Sequence, residues 1–470
     1  MPQRRPRARP RRPKTATAPA RSAVSPGRSA ALEAILAAAA RFPDLLPGEP
    51  DTSGLDDRDA GLARAVYGVT LRHWLAIEHA AARWSRRDPR GLDPPVRAAL
   101  LAGGAQLLFL DRVPDHAAIG ESVEWAKARS GPGASGLVNA VLRRVARMRS
   151  GRRPIWSDGL DELPTSDGGA IVLDGLDLPD TPERRWSIAC SLSPRLVESW
   201  RSALGPEHAR TICHGTLAQP PTLLNTAFAG GALEGVEPHS VDGVGVWTGS
   251  RRGLIETLER RDDLWPQDAA SCLALGPTEG LRPDRVVDLC AGLGTKTRHL
   301  LHLFPGATIV AADVDAARLE ELGRIFEGHR RVAVVHADEA GKREIGRADL
   351  VVVDAPCSNS GVLRRRPEAR YRFHPKQTAR LIEIQRGVLA RGATLLSPDG
   401  ALLYATCSLQ AAENDGQTAW AAEHLGLCPA LERLTMPGGA PGSAARDLHD
   451  GGYAALLRRA QGRGSRPEGA

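Results

Sequence analysis

Residues 286–300 read VVDLCAGLGTKTRHL, in which a short apolar run passes through a glycine-containing turn into a helical pattern. Similar β-branched runs recur between helical stretches at 308–312, 332–336, 350–353 and 401–406. Alternating strands and helices are typical of a parallel sheet with helices on both faces. Such sheets bind their ligands at the carboxyl ends of the strands. We therefore predict that 263–462 forms an α/β domain with its functional site at those strand ends.

The turn in this segment has features of a nucleotide-binding turn. Gly292 and Gly294 would let the backbone approach a ligand closely. Asp313 ends the next strand 25 residues after Asp288, and an acid near this spacing accepts hydrogen bonds from ribose hydroxyls in nucleotide-binding folds. A dinucleotide G-x-G-x-x-G pattern is broken by Thr297, and the P-loop pattern is not met either. The turn alone leaves open a nucleotide-type cofactor site or a generic strand-to-helix turn.

Two cysteines lie just past the ends of two predicted strands. The strand at 350–353 continues into DAPCSNSGVLRRRPEARYR, and the last strand runs into YATCSLQAAEN, which ends at residue 414. These segments place Cys357 and Cys407 at equivalent strand ends, so we expect the two thiols to converge on one mouth of the sheet. The chain has seven cysteines, and because none are paired at C-x-x-C spacing we predict neither a disulfide framework nor a metal site.

The paired cysteine motifs resemble those of the Sun-type RNA (cytosine-5)-methyltransferases, which read D-A-P-C-S-x-x-G before basic residues and Y-x-T-C-S before E-N. Here Glu413 and Asn414 follow the second motif. The segment LWPQDAASCLAL at 264–275 is similar to the V-Q-D-x-A-S segment of that family. Stretches at 109–127 and 136–145 resemble its NusB-like RNA-binding domain. This domain combination resembles the branch that modifies 16S ribosomal RNA.

The resemblance implies a reaction in which S-adenosylmethionine (SAM) methylates carbon 5 of cytosine. Carbon 5 is a poor nucleophile, so a thiolate must first add to carbon 6. By resemblance Cys407 is this nucleophile, and Cys357 assists the later breakdown of the adduct. Asp354 would hold the ring N3 and the amino edge of the base. Lys296 would contribute to an electropositive environment for Cys407.

The resemblance also implies RNA and cofactor contacts. The target base must leave its stack, and Arg364, Arg365 and Arg366 would grip the flanking phosphates unless they are an ordinary solvated basic run. The implied SAM ligands are the turn residues, the ribose acid Asp313, Asp338 near the adenine, and Asp354. The turn residues are Cys290, Ala291, Gly292, Leu293, Gly294, Thr295 and Lys296. Asp338 could instead cap the following helix.

The turn departs from the family pattern in a way that bears on cofactor affinity. The family reads C-A-A-P-G-G-K-T, whereas this chain reads C-A-G-L-G-T-K-T, with Leu293 in place of proline and Thr295 in place of the second glycine. This departure alone favours a second hypothesis, a non-catalytic RNA-binding or ribosome-assembly factor. Within the enzyme class, a transfer RNA substrate is the alternative to 16S ribosomal RNA.

The rest of the chain predicts a multidomain protein, with an all-α NusB-like domain before the α/β class I (Rossmann-like) methyltransferase domain. We expect a disordered basic arm over 1–29, five to seven helices over 30–149, and a linker over 150–192. A small α/β connector over 193–262 and a disordered tail over 463–470 complete the organisation.

Charge and hydropathy limit the partners and the compartment that the sequence predicts. Residues 1–30 hold nine basic residues and no acid, so removing them from the net charge of +7 leaves −2 for the remaining chain. Whole-chain charge is therefore a weak argument for nucleic-acid binding. No apolar run approaches the roughly 18 residues of a membrane span, and no secretory signal pattern is present, so we expect a cytoplasmic protein. We also expect it to be a monomer.

Overall fold

The computed structural model of the chain describes residues 24–85 and 87–460. The predicted tail and most of the predicted basic arm lie outside these described residues. Within them the chain forms a helical amino-terminal domain, two small antiparallel sheets and a large α/β domain. No helix in this described part is long and apolar enough to cross a membrane.

The amino-terminal domain is helical, as predicted. Within the described residues its helices are α1 (Pro26–Arg41), α2 (Asp57–Ser85), α3 (Pro94–Phe109) and α4 (Asp115–Met148). Non-helical backbone at His73 kinks α2, and Gly131, followed by Pro132, breaks α4. The two kinks divide the four helices into six straight segments, within the predicted number of five to seven. Helix α3 is buried along nearly its whole length, as expected for an apolar helix at the centre of a bundle.

The predicted boundary of the basic arm at residue 29 is wrong. Helix α1 begins at Pro26, since proline at the first helical positions costs no hydrogen bond. Arg28, which we assigned to the solvated arm, is buried and donates to Gln106 Oε1 at 2.6 Å and Glu121 Oε1 at 2.7 Å. The last residues of the predicted arm therefore belong to the helical domain.

The predicted linker over 150–192 is also wrong, because this segment is folded. Three strands, β1 (Arg149–Arg153), β2 (Glu162–Pro164) and β3 (Ala170–Leu173), form an antiparallel sheet in the order β1-β3-β2, followed by α5 (Pro182–Ala189). Leu163, Ile171 and Leu173 are buried in the same apolar cluster as the helical domain. The strands are short and separated by Gly, Pro and Asp residues, so they produce little periodicity in the sequence.

A second small sheet follows where we predicted an α/β connector. The elements are α6 (Pro194–Leu204), α7 (Pro206–Gly215), β4 (Leu223–Asn225), β5 (Val236–Pro238), β6 (Val244–Trp247), α8 (Arg251–Arg260) and β7 (Trp265–Pro266). The strand order is β5-β6-β4-β7, and all the pairs are antiparallel. Strand β7 lies beyond residue 262, so the sheet extends past the predicted boundary.

The α/β domain contains the five predicted strands. Its elements are α9 (Ala269–Leu273), β8 (Arg285–Asp288), α10 (Thr295–Leu303), β9 (Thr308–Asp313), α11 (Ala316–Ile325), β10 (Val332–His336), α12 (Ala337–Arg343), β11 (Ala348–Asp354), α13 (Pro375–Leu395), β12 (Leu396–Thr406), α14 (Asp415–Leu425), β13 (Leu427–Thr435) and β14 (Gly452–Arg459). The sheet order is β10-β9-β8-β11-β12-β14-β13. Strands β8 to β12 are parallel, which confirms the prediction, and β13 and β14 add an antiparallel edge.

The register of these strands brings their carboxyl ends together. Val352 pairs with Asp288 across β11 and β8, and Asp354 pairs with Ala405 across β11 and β12. Consecutive residues of β11, such as Val351 and Val352, are buried in two different apolar clusters on opposite faces of the sheet. The sheet is therefore fixed from both sides, and the loops after β8, β11 and β12 open at a common edge.

The helical domain is joined to the loop that follows β11. Tyr371 donates from its hydroxyl to Leu71 O on α2, near the kink at His73. Arg72 donates to Arg364 O at 3.2 Å. Arg370 is fully buried between this loop and the segment from α5 to α7, and it donates five hydrogen bonds there. The segment that begins at the first cysteine motif is thus held by both domains.

Candidate active site

A cavity of about 720 Å³ opens at the carboxyl ends of the parallel strands. Its lining includes the turn after β8, Asp313 at the end of β9, Asp354 at the end of β11, and the two motif cysteines. The structure therefore brings together residues that are far apart in the chain, such as Cys290 and Cys407, which are 117 positions apart. This is the strand edge that the βαβ pattern predicts.

The turn after β8 requires glycine at two positions. Gly292 and Gly294 have φ of +58° and +79°, in the left-handed region. A Cβ on Gly294 would lie 2.6 Å from the ring of Phe326, whereas a Cβ on Gly292 would meet no protein atom within 4 Å. Gly292 N donates to Asp313 Oδ2 at 3.0 Å, so the turn and the predicted ribose acid are directly linked.

A lysine and a carboxylate form the polar centre of the cavity. Lys296 Nζ lies 2.7 Å from Asp354 Oδ2, and 13% of the lysine side chain is exposed. Burial opposes the charge on Lys296, but the Asp354 carboxylate outweighs it and raises the pKa of the ammonium above its ordinary value. Lys296 thus stays charged near neutral pH, and the pair can hold a polar ligand edge.

The two motif cysteines meet at this centre. Their Sγ atoms lie 3.2 Å apart, and both cysteines line the cavity. Contact with Cys407 raises the pKa of the Cys357 thiol well above its ordinary value, and burial and the charge of Glu413 raise it further. The Cys357 thiol therefore keeps its proton near neutral pH.

Asn359 is a site residue that the sequence analysis missed. Its side-chain Oδ1 lies 3.2 Å from Cys407 Sγ, and its Nδ2 donates to Cys357 O at 3.2 Å. Its φ of +60° is a left-handed conformation that asparagine tolerates better than most residues. Its position two residues after Cys357 was the available signal, but a polar residue inside a motif loop does not by itself indicate a contact with a distant cysteine.

The expected phosphate contacts of Arg364 and Arg365 are not compatible with their placement. Arg364 is 3% exposed and donates to Gly438 O at 2.8 Å. Arg365 forms ion pairs with Asp268 and Asp450, at 2.8 Å each. Arg364 is buried and Arg365 is partly buried, and both charges are committed to partners within the protein. Arg366 alone of the three lines the cavity with an exposed side chain.

Asp338 lies at the rim of the site. Its side chain is 62% exposed and forms an ion pair with Arg391 at 3.0 Å. Its backbone N–H donates to His336 Nδ1, the amino-terminal cap of α12. Its neighbours Ala337 and Arg391 line the cavity, whereas Asp338 is not among the lining residues. The capping role that we considered for Asp338 is thus carried by His336.

Comparison with known proteins places this site in a family. A family model for 16S rRNA methyltransferase RsmB/F matches residues 272–424, and a NusB family model matches 26–147. The chain is 30% identical to ribosomal RNA small subunit methyltransferase B of Pseudomonas putida, covering 92% of this chain and 98% of that protein. It is 32% identical to the Thermus thermophilus protein of the same name, covering 86% of this chain and 89% of that protein.

The fold agrees with these matches. The crystal structure of PH0851 superposes with a TM-score of 0.66 at 20% identity, covering 92% of this chain and 98% of that one. A likeness at this identity shows the fold alone. The sequence identity over nearly full length shows more: the chain belongs to the ribosomal RNA small subunit methyltransferase B family.

Proposed function

We propose that this protein transfers a methyl group from SAM to carbon 5 of a cytosine in 16S ribosomal RNA through a covalent cysteine adduct. The observation that carries the proposal is the pair of thiols 3.2 Å apart, beside the Lys296–Asp354 ion pair in one cavity. A single buried cysteine would suit a packing role, but two thiols next to a charged pair suit covalent catalysis. The relatives named for small-subunit ribosomal RNA support the choice of substrate.

The attacking thiol in this proposal is Cys407. Its sulfur adds to carbon 6 of the cytosine, which makes carbon 5 electron-rich enough to take a methyl group. Asp354 accepts hydrogen bonds from the protonated N3 and from the amino group of the base. These bonds stabilise the adduct, in which N3 is protonated. Lys296 pairs with Asp354 at 2.7 Å and adds positive charge close to Cys407.

Cys357 acts after methyl transfer. Release of the product requires loss of the proton from carbon 5 and cleavage of the carbon–sulfur bond, whose electron pair returns to Cys407. Once the Cys407 sulfur is bonded to carbon 6, it cannot carry the negative charge that opposes ionisation of Cys357. The adduct thus favours the thiolate of Cys357, which is then able to take the carbon 5 proton.

The residues along the turn fit a SAM molecule. The open space at the Gly292 Cβ position faces no protein atom, and the buried Asp313 carboxylate lies beside it. Leu293 and Val314 line the cavity with largely exposed apolar side chains, which suit the flat face of an adenine. When bound, SAM supplies the electrophilic methyl group. The changed turn sequence has glycine at both left-handed positions, 292 and 294, so no specific observation favours a non-catalytic scaffold.

The RNA substrate also bears on compartment and contacts. Ribosomal RNA is cytoplasmic in a bacterium, and we propose the same compartment for this protein. Arg366 is the one residue of the basic run that we retain as a phosphate contact, because its side chain is 55% exposed and it lines the cavity.

The test is to incubate the protein with SAM carrying a radiolabelled methyl group and with unmodified small-subunit ribosomal RNA. Label recovered as 5-methylcytidine after digestion is the expected result. Unmodified transfer RNA is the matched substrate control, and Cys407→Ala is the control for covalent catalysis. Label in another nucleoside, or equal label with the Cys407→Ala variant, would refute the proposed chemistry.

A further inference from the structure

The two cysteines belong to separate loops, and their 3.2 Å separation needs a structural cause. Cys357 lies in the loop after β11, and Cys407 directly follows β12. Each is followed in the chain by a serine, Ser358 or Ser408. Both serines contact one side chain that the chemistry above does not use, that of Glu413.

Glu413 collects hydrogen bonds from both loops. Its Oε1 accepts from Ser358 N at 2.9 Å, and its Oε2 accepts from Ser358 Oγ at 2.5 Å. Its Oε2 also accepts from Ser408 Oγ at 2.6 Å. Gln385 Nε2 on α13 donates to Oε1 at 3.1 Å. Glu413 is fully buried, so these four bonds replace the water that its carboxylate would otherwise need.

We propose that Glu413 is a positioning residue that clamps the two cysteine loops together and so sets the separation of the two thiols. The inference rests on the proposed function for its catalytic meaning, because the clamp matters only if both thiols take part in one reaction. Only a carboxylate suits this place. All four contacts are donors, and an ionised carboxylate is acceptor-only, whereas an amide would direct an N–H group at some of them.

Other bonds also join the two loops. Cys407 Sγ donates to Asn359 Oδ1 at 3.2 Å, and the Oγ atoms of Ser358 and Ser408 lie 3.2 Å apart. Farther along the loop, Leu409 N donates to Ser360 Oγ at 2.9 Å, and Gly361 N donates to Cys407 O at 2.9 Å. Glu413 differs from these partners because it accepts from the backbone N–H of Ser358, next to Cys357. Loss of the Glu413 bonds is therefore expected to loosen the thiol pair while the loops remain attached to the sheet.

Glu413 also acts on Cys357 through its charge. After contact with Cys407 and burial, the charge of Glu413 is a further cause of the raised pKa of Cys357. Position and charge can be separated by substitution. Glu413→Asp keeps the charge but shortens the side chain by one methylene, and Glu413→Gln keeps the length but removes the charge.

The first experiment measures thiol proximity without using methyl transfer. The full-length protein is treated with diamide, which takes two protons and two electrons from a pair of neighbouring thiols, and the Cys357–Cys407 disulfide peptide is quantified by mass spectrometry. Glu413→Asp is expected to slow disulfide formation by about tenfold, the effect of one or two lost hydrogen bonds. Ser358→Ala, which removes one donor, provides a milder variant if Glu413→Asp does not fold.

Glu162 provides a matched control. It is fully buried like Glu413, and its Oε1 accepts from Ser157 N, Ser157 Oγ and Gly159 N in the small amino-terminal sheet, away from the cavity. Glu162→Asp is expected to leave the diamide rate unchanged. An equal slowing in both variants would show a general loss of stability and would overturn the positioning role, as would an unchanged rate in Glu413→Asp.

The second experiment measures the effect of charge. In a Cys407→Ser background, the rate at which iodoacetamide alkylates Cys357 is followed against pH by peptide mass. Glu413→Gln is expected to move this profile to lower pH, because the thiolate loses a negative neighbour. No movement would refute the electrostatic part. If the wild-type protein fails to methylate ribosomal RNA while both thiol experiments succeed, the proposed function fails and the clamp stands.

Discussion

Replacing Arg370 by methionine is expected to destabilise the protein by about 3–5 kcal/mol, because several buried oxygen acceptors lose their donor at once. Arg370 is fully buried and donates to Ser191 O, Thr216 O, Leu363 O, Cys190 O and Thr216 Oγ1, at 2.7–3.3 Å. Methionine fills similar space without a donor. Four carbonyl oxygens lose this donor, whereas Thr216 Oγ1 still bonds to Cys213 O at 2.7 Å, and each buried unpaired group costs roughly 1–3 kcal/mol before relaxation.

The sum of these penalties exceeds the expected loss for two reasons. Water or small backbone shifts will satisfy some of the carbonyls, and the variant no longer has to bury a guanidinium. Burial lowers the pKa of Arg370, which shows that this desolvation opposes the native charge. Arg370→Lys is expected to lose less, because an ammonium keeps the charge and three donors but cannot reproduce the planar fork.

The assay is urea denaturation followed by tryptophan fluorescence, with the midpoint and slope compared between variants. The matched control is Arg324→Met on the surface of α11, where the arginine pairs with Glu320 and Glu321 and is 63% exposed. Exposed pairs of this kind contribute about 0–1 kcal/mol. A loss below about 1 kcal/mol in Arg370→Met, with the slope unchanged, would refute the view that this arginine holds the loop after β11 against the segment from α5 to α7.

Three further changes separate the roles assigned above. Cys407→Ala should abolish methyl transfer, whereas Cys357→Ser should still methylate and accumulate a protein–RNA adduct visible on a denaturing gel; equal inactivation without adduct would contradict the division of roles. Burial raises the pKa of Asp288 to about 7, so the folded state keeps a proton that the unfolded chain releases near 3.8. The stability of the folded protein therefore falls as the pH rises from about 3.8 to about 7. At about 1.4 kcal/mol per pKa unit, Asp288→Asn should stabilise the protein by up to about 4 kcal/mol at pH 8 and by little at pH 4, measured by thermal unfolding. An equal gain at both pH values would exclude this titration. Arg366→Ala should lower the salt slope of RNA binding by about 0.7–0.9, which filter binding at several salt concentrations would measure, and an unchanged slope would exclude a phosphate contact.

The sheet was predictable because buried parallel strands leave a strong local signal. Their β-branched runs stand out between helical stretches, and β8 to β12 lie where those runs predict them. Strand β13 gives no such signal, since nearly all of its residues are exposed at the sheet edge and Pro429 interrupts its pairing register. Strand β1 was not predicted for the same reason, because all of its residues are exposed. Short or exposed strands are defined by pairing partners that are distant in sequence, so their own residues carry little information.

The site was predictable where chemistry is tied to strand ends, and not where it depends on burial. Cys357 and Cys407 follow their strands directly, so topology alone brings them to one edge. The run Arg364–Arg366 looks uniformly basic in sequence, yet only one of its members faces the cavity.

The acceptors of Arg364 and Arg365 explain this difference. They include Gly438 and Asp450, which lie more than 70 residues farther along the chain, and no local pattern points to them. Whether an arginine has a structural role or can bind a ligand depends on whether such distant partners surround its side chain. Arg364 and Arg365 therefore fix the loop after β11, and Arg366 is left to contact RNA. Substitutions of the first two are expected to lower stability, whereas substitution of Arg366 is expected to weaken RNA binding.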